Sequence, residues 1–221
     1  MRSLPLPFTL TARISPVLVL ACAGWALTSG PLDSPEKTAS QDTPKPRVES
    51  SAPSTTQVTK TYGAAPAPCK SVAVKSVSSL VPGAKTAGKE IPSTDATLRR
   101  TCSWNALKGY EYRWLDVSFE LLESDEDAAA SFKERTTEKS GGGAVPGLGE
   151  EGYSVVNLTT EDKQQTREGT VIARVANALV VVTYNGSDFE SKKAPSSDEI
   201  NKGGIKAAKE AVTALKALAA V

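Results

Sequence analysis

The clearest pattern in this chain is an alternation of apolar and polar positions in its middle third. Between Tyr112 and Leu122, the apolar residues Leu115, Val117, Phe119 and Leu121 alternate with polar ones. Because successive side chains of a strand point to opposite faces, this alternation predicts an antiparallel strand with one buried face. The segment Cys102–Trp104 predicts the start of a neighbouring strand.

Three further strands are predicted in the second half of the chain. They are Tyr153–Leu158, Thr170–Ala176 and Leu179–Tyr184. The last of them contains three consecutive valines, and a strand that is apolar at consecutive positions is typical of the middle of a sheet, buried on both faces. The pair Asn185-Gly186 that follows is typical of a turn.

Three helices are predicted around these strands. The first carries Val74, Val77 and Val81 on one face and stops at a Pro-Gly pair. The second is capped by Ser124 and ends before three consecutive glycines. The third begins after Ser196 and has an apolar stripe formed by Ile205, Ala208, Val212, Leu215 and Ala219. The order of elements predicts an α+β domain, an antiparallel sheet of about five strands with packed helices and one disulfide.

The N-terminus has the order of residues found in bacterial export signals. Two arginines precede the apolar run Ile14–Leu27, whose length of about 14 residues is short of the roughly 20 needed to cross a bilayer. The segment Val19–Cys22 resembles a lipobox, in which the cysteine is acylated and becomes the first residue of the mature protein. We therefore predict a signal peptide at residues 1–21 and a lipid anchor, such as palmitate, on Cys22. An ordinary secretory signal that contains a cysteine is the alternative.

Residues 22–67 are predicted to form a lipidated, disordered tether. The segment from Thr28 to Pro68 is rich in Pro, Ser, Thr and Ala and shows neither a helical nor a strand period, so it buries too little apolar surface to fold. As a flexible chain it spans roughly 35 Å. The globular α+β domain is predicted to occupy residues 68–221.

The chain has three cysteines, an odd number for an exported protein. Lipidation of Cys22 leaves Cys69 and Cys102 as a pair, and neither lies in a C-x-x-C motif that favours metal binding. We predict a structural disulfide between Cys69 and Cys102. Two free buried thiols are the alternative.

Composition narrows the chemistry further. With 26 basic and 25 acidic residues the net charge is +1, which argues against a nucleic-acid partner. The sequence has no histidine, so triads, Cys-His pairs and histidine-zinc sites are excluded. We predict that the protein is not an enzyme and uses no cofactor or metal. A hydrolase that works without histidine is a minor alternative.

Trp114 is one candidate binding residue. It belongs to a group of four aromatic residues between positions 104 and 114, and it shares a strand face with Asp116 and Ser118. A place in the core is the alternative for this group, because large aromatic side chains often complete a core.

The other candidates are Gly147, Leu148 and Gly149, in a glycine-rich segment between a predicted helix and a predicted strand. The segment is longer than ordinary connections, and long loops often bind ligands. It also matches the dinucleotide pattern G-x-G-x-x-G. A nucleotide site requires a helix after the glycines, whereas a strand is predicted here, so we do not expect nucleotide binding.

Four short motifs are spread over the domain: Pro68-Cys69, Val81-Pro82-Gly83, Cys102-Ser103-Trp104 and Val145–Gly149. In these motifs the chain resembles the actinobacterial surface lipoproteins of the domain-of-unknown-function 3558 family. The resemblance implies a lipid-anchored protein outside the cytoplasmic membrane, with one disulfide and no assigned catalytic activity.

Together these observations predict a membrane-anchored extracytoplasmic lipoprotein that acts as a noncatalytic binding or sensor-like module. We expect a monomer, held on the outer face of the cell membrane by the lipid on Cys22. Its further partner is expected to be an unknown small molecule or an envelope protein. A structural cell-envelope protein that binds a protein partner is the alternative.

Overall fold

The structure is a computed structural model that describes residues 60–219. The predicted signal peptide, Cys22 and the predicted tether up to residue 59 lie outside the described residues. Within residues 60–219 there are seven strands and three α-helices. The strands are β1 (Lys89–Ile91), β2 (Arg99–Lys108), β3 (Glu111–Leu121), β4 (Gly143–Ala144), β5 (Glu151–Glu161), β6 (Gln164–Val175) and β7 (Ala178–Asp188). The helices are α1 (Val74–Leu80), α2 (Asp125–Thr137) and α3 (Ser197–Ala219), and a 3₁₀ turn spans Pro68–Lys70.

The described strands form an antiparallel sheet in the order β1-β2-β3-β7-β6-β5-β4. The predicted α+β class is therefore confirmed, with seven strands instead of about five. The two additional strands, β1 and β4, have only three and two residues. Strands this short carry no apolar alternation, so the sequence pattern does not reveal them.

β7 lies in the middle of the sheet, as its consecutive valines predict. Asn185 and Gly186, however, lie inside this strand, and the predicted turn at this position is wrong. Asn185 is paired with Trp114 of β3 and with Glu168 of β6. Strand pairing on both sides therefore outweighs the local turn preference of Asn-Gly.

The principal core lies between one face of the sheet and the helices α1 and α3. Leu115, Val117 and Phe119 of β3 are fully buried there, which confirms the alternation seen in the sequence. The α3 residues that cover them are Ile200, Ala207, Ala208, Ala211, Val212 and Leu215. Two predicted core positions are wrong, because Val74 is 63% exposed at the start of α1 and Ala219 is exposed at the end of α3. No helix in residues 60–219 is long and apolar enough to cross a membrane.

α2 covers part of the opposite face of the sheet. The Ser124 hydroxyl accepts a hydrogen bond from the Asp127 N–H at 3.0 Å, which confirms the predicted cap. Phe132 packs on Ile172 and Leu179, close to the turn between β6 and β7. The helix therefore covers one end of this face, and no helix of the described chain lies over the other end.

The disulfide between Cys69 and Cys102 is present and joins the 3₁₀ turn to β2, with the two Cα atoms 5.1 Å apart. Ordered packing also begins earlier than residue 68, where the sequence placed the start of the domain. Tyr62 and Ala65 are both buried. The Asn177 side chain accepts a hydrogen bond from the Tyr62 N–H and donates one to its carbonyl. These contacts make residues 62–67 part of the folded domain.

Candidate functional site

The candidate site is the part of the second sheet face that α2 leaves uncovered. Strand register brings side chains of β2, β3 and β7 together in rows on this face. One row consists of Asn105, Trp114 and Asn185, and the next consists of Ser103, Asp116 and Thr183. A third row begins with Thr101 and Ser118. We call the surface formed by these eight residues the open face.

Trp114 and Asp116 are linked on the open face. The indole Nε1–H of Trp114 donates a hydrogen bond to Oδ1 of Asp116 at 2.6 Å. Because the two residues are two positions apart on one strand, this bond aligns the indole with the strand direction. Asp116 forms no ion pair within residues 60–219, and both side chains are partly exposed. The pair therefore presents an apolar ring beside a carboxylate.

More aromatic surface continues from Trp114 towards the start of β3. The ring of Tyr112 meets Trp114 edge-on at a centroid distance of 6.3 Å, and its distance to the ring of Phe189 is 6.2 Å. Phe189 is 49% exposed and Leu107 is 58% exposed. In contrast, Trp104 is only 1% exposed and lies in the core. Of the two tryptophans in the aromatic group, only Trp114 is accessible to a ligand.

A recess of about 380 Å³ adjoins the polar part of the open face. It is lined by the segment Ile91–Thr94 together with Arg99, Thr101 and Asp116. Thr101 and Ser118 share a hydrogen bond of 2.9 Å between their hydroxyls. The Ser103 hydroxyl, in the row of Asp116, is buried without a hydrogen-bond partner in the described structure. Hydroxyl groups, a carboxylate and a guanidinium thus lie side by side.

The charges around the open face are unevenly compensated. Glu120 is held between Arg135, at 2.6 Å, and Arg99, at 3.6 Å. Asp116, in contrast, has no arginine or lysine paired with it in residues 60–219. Burial raises the pKa of Tyr112 above its ordinary value, and the negative charge of Asp116 raises it further. Asp116 therefore favours a ligand that donates hydrogen bonds to it.

The predicted candidates Gly147, Leu148 and Gly149 lie outside the open face. They form a defined turn in which both glycines have positive φ, 73° and 70°. Leu148 is 1% exposed and packs in the principal core. The turn directs the leucine inward, so its observed contacts are structural, while its binding role stays a prediction.

The G-x-G-x-x-G segment leads into the strand β5 and not into a helix, as the sequence predicts. The two glutamates within it both pair with Arg174: Glu150 at 2.6 Å and Glu151 at 2.5 Å. Among residues 60–219 no group of three or more Cys, Asp or Glu side chains is placed to hold a metal ion.

Several residues of this site are not marked by the sequence. Thr101 and Ser103 reach Ser118 and Asp116 only through the register of β2 with β3. Phe189 reaches Tyr112 through the pairing of β3 with β7, which three strands separate in sequence. The sequence signals for the site were the aromatic group that contains Trp114 and the alternation that places Asp116 and Ser118 on the same strand face.

The chain matches no protein-family profile and no curated protein. Among solved structures, it is similar to the extracellular domain of PknH from Mycobacterium tuberculosis. The TM-score is 0.29 and the sequence identity 11%, over 53% of this chain and 64% of that one. At this level of similarity, nothing about the function of this chain follows.

Proposed function

We propose that this protein is a noncatalytic extracytoplasmic binding module whose ligand binds on the open face. The observation that carries the proposal is the hydrogen-bonded pair Trp114–Asp116, with an accessible ring beside a carboxylate that has no ion pair in residues 60–219. Small-molecule sites typically combine apolar and aromatic surface with a few polar groups that fix the orientation of the ligand. The open face has both components within two neighbouring rows of residues.

The chemistry of the open face restricts the ligand. The indole of Trp114 and the ring of Tyr112 offer apolar surface for a flat or ring-shaped group. Asp116, which accepts the Trp114 indole at one oxygen only, and the hydroxyl of Thr101 line the adjoining recess and offer hydrogen-bonding groups to a ligand. A ring-shaped organic molecule that carries hydroxyl or amino donors matches this arrangement.

The proposed location is the outer side of the cytoplasmic membrane, with lipid on Cys22. The lipobox-like segment before Cys22 supports this, and so does the disulfide, because disulfides persist in oxidising compartments outside the cytoplasm. The proposal also includes membership of the domain-of-unknown-function 3558 family, supported by the motifs around Cys69, Val81, Cys102 and Gly147.

Tryptophan fluorescence provides the test. The purified protein is titrated with a small-molecule fraction extracted from bacterial cell envelopes, and the parent is compared with Trp114→Phe and Asp116→Asn. We expect a saturable fluorescence change in the parent, none in Trp114→Phe, and at least tenfold weaker binding in Asp116→Asn. Glu126→Gln, an exposed carboxylate on α2, is the matched control and should bind like the parent. Equal binding by all variants would contradict the open-face site.

The alternative function, a structural envelope protein with a protein partner, is favoured by a different observation. It concerns the opposite edge of the sheet, where β5 extends beyond its neighbour β4.

A further inference from the structure

β5 has a long edge that no described strand covers. The two residues of β4 pair only with Tyr153 and Ser154 of β5. On its other side, β5 pairs with β6 along its whole length, from Glu151 to Glu161. Residues 155–161, which we call the β5 edge, therefore have a strand neighbour on one side only within residues 60–219.

The hairpin after β5 determines which backbone groups point outward. The two residues between Glu161 and Gln164 have positive φ, 50° and 68°, as in two-residue hairpin turns. In such a hairpin the flanking residues bond to each other, and the direction then alternates along the strand. By this alternation the backbone groups of Gly152 point away from β6, and its carbonyl accepts a hydrogen bond from the Val145 N–H at 2.8 Å. In the β5 edge, the residues whose backbone groups point outward in the same way are Val156, Leu158 and Thr160.

These three residues present a row of backbone N–H and C=O groups without a strand partner in the described chain. Proteins usually protect such edges with lysine, proline or a bulge, because an open edge pairs with other chains. The β5 edge has neither lysine nor proline, and its only charged residue is Glu161 at the end. Leu158 is 48% exposed on it. The edge is thus suited to pairing with an additional strand.

A recess of about 550 Å³ lies beside the β5 edge, between the β4–β5 region and α3. Its apolar lining includes Val145, Pro146, Val156 and Ile205, and Asn201 contributes an amide. In recognition by strand addition, main-chain hydrogen bonds hold the peptide and pockets accept its alternate side chains. The edge and the recess together provide both parts of this mode.

The charge next to the recess distinguishes between occupants. Lys202, Lys206 and Lys209 surround Ile205 on the exposed side of α3. Lys202 pairs at 2.9 Å with Asp198, which lines the recess, and the neighbouring Glu210 accepts hydrogen bonds from the Ala73 N–H and the Ser76 hydroxyl. Lys206 and Lys209 form no ion pair within residues 60–219. Pairing of two β5 edges would bring two such lysine groups towards each other, which like-charge repulsion disfavours. An acidic strand meets complementary charge instead.

We propose that the β5 edge binds an extended acidic segment of a protein partner as an eighth strand. The segment forms main-chain hydrogen bonds with Val156, Leu158 and Thr160. Its apolar side chains enter the recess beside Ile205, and its carboxylates lie near Lys206 and Lys209. This inference is independent of the open face, which is on a different part of the molecule.

Amide hydrogen exchange of the purified protein tests the edge directly. The amides of Val156, Leu158 and Thr160 should exchange fast, while those of Asn157 and Thr159, which point to β6, should be protected. Protection of the three outward amides in the protein alone would overturn the proposal. If protection depends on protein concentration, a second copy is the occupant; if it does not, another segment of the same chain is.

The partner chemistry is tested with a phage-displayed library of linear twelve-residue peptides. Enriched peptides should carry Asp or Glu among β-branched residues and should protect the outward amides. Leu158→Pro removes one outward N–H and should weaken their binding at least tenfold, whereas Leu158→Ala keeps that N–H and most of the affinity. Thermal unfolding of both variants establishes that they are folded.

A charge variant keeps the test decisive if Leu158→Pro does not fold. The double substitution Lys206→Glu and Lys209→Glu should weaken peptide binding at least tenfold, and Lys133→Glu on α2, the matched control, should leave it unchanged. The proposal is overturned if no peptide is enriched, or if the enriched peptides bind the variants as tightly as the parent.

Discussion

Tyr184 in the central strand donates a hydrogen bond from its phenolic hydroxyl to the carbonyl oxygen of Leu80, the last residue of α1, at 2.7 Å. The tyrosine is 2% exposed. Its ring lies so close to Gly203 of α3 that a Cβ on that glycine would be 2.6 Å away from it. The contact therefore joins the central strand, the end of α1 and the helix that covers both.

Replacing Tyr184 with Phe should lower the free energy of unfolding by about 1–3 kcal/mol. The substitution keeps the ring but leaves the buried carbonyl of Leu80 without its donor, and an unsatisfied buried group carries this cost. Urea unfolding of the two proteins at neutral pH measures the difference. Tyr110→Phe is the control, because Tyr110 is 57% exposed and should unfold like the parent.

The same pair predicts a pH dependence. Burial raises the pKa of Tyr184 above its ordinary value of 10.0, because the ionised phenol is disfavoured inside the protein. The unfolded chain then releases this proton at a lower pH than the folded chain does. The stabilisation is fully present below about pH 10 and declines as the pH rises towards the raised pKa. The stability difference between parent and Tyr184→Phe should therefore shrink above pH 10; a constant difference from pH 8 to 11 would contradict this.

The disulfide is expected to contribute about 3–4 kcal/mol, the value for a closed loop of this size in the chain-entropy model. We predict that the double variant Cys69→Ala, Cys102→Ala unfolds at a correspondingly lower urea concentration. Reduction of the parent should reproduce the effect and should leave the double variant unchanged. If the reductant destabilises both proteins equally, the disulfide is not the source of the stability.

The main elements of the fold could be predicted from the sequence because their local patterns agree with the tertiary contacts that they make. The alternating residues of β3 are buried as predicted, and the Ser124 cap starts α2. Predictions from the local sequence pattern fail where pairing between distant segments determines the secondary structure. Asn185-Gly186 is held inside β7 by strands on both sides, and β1 and β4 exist only through their neighbours.

The candidate site was only partly readable for the same reason. Trp114 stands out in the sequence as an aromatic residue on the face of Asp116, and the structure adds the hydrogen bond between them. The hydroxyl of Ser103 reaches that row only through the register of β2 with β3. The β5 edge is open because β4 ends after two residues, and no residue of β5 itself indicates the length of β4.

The two glycines of the turn around Leu148 allow a matched comparison. A Cβ on Gly149 would lie 2.4 Å from the carbonyl oxygen of Arg174, whereas a Cβ on Gly147 would have nothing within 4 Å. Both glycines have positive φ, so alanine is strained at either position. We predict that Gly149→Ala lowers the melting temperature clearly more than Gly147→Ala does. Equal effects would mean that backbone strain alone explains the role of both glycines.

The last prediction concerns Cys22, which lies outside the described residues. If this cysteine carries the lipid anchor, Cys22→Ala should leave the protein unprocessed or release it from the membrane into the medium. Acyl chains contribute about 0.8 kcal/mol of membrane affinity for each buried CH₂, and the chain has no comparable excess of positive charge to replace them. Membrane fractionation, together with incorporation of labelled palmitate, measures the effect, and Ala23→Ser serves as the control that keeps the cysteine. A Cys22→Ala protein that is processed normally and remains as membrane-bound as the parent would exclude the anchor. A parent protein that is itself released without label would instead favour the ordinary secretory signal.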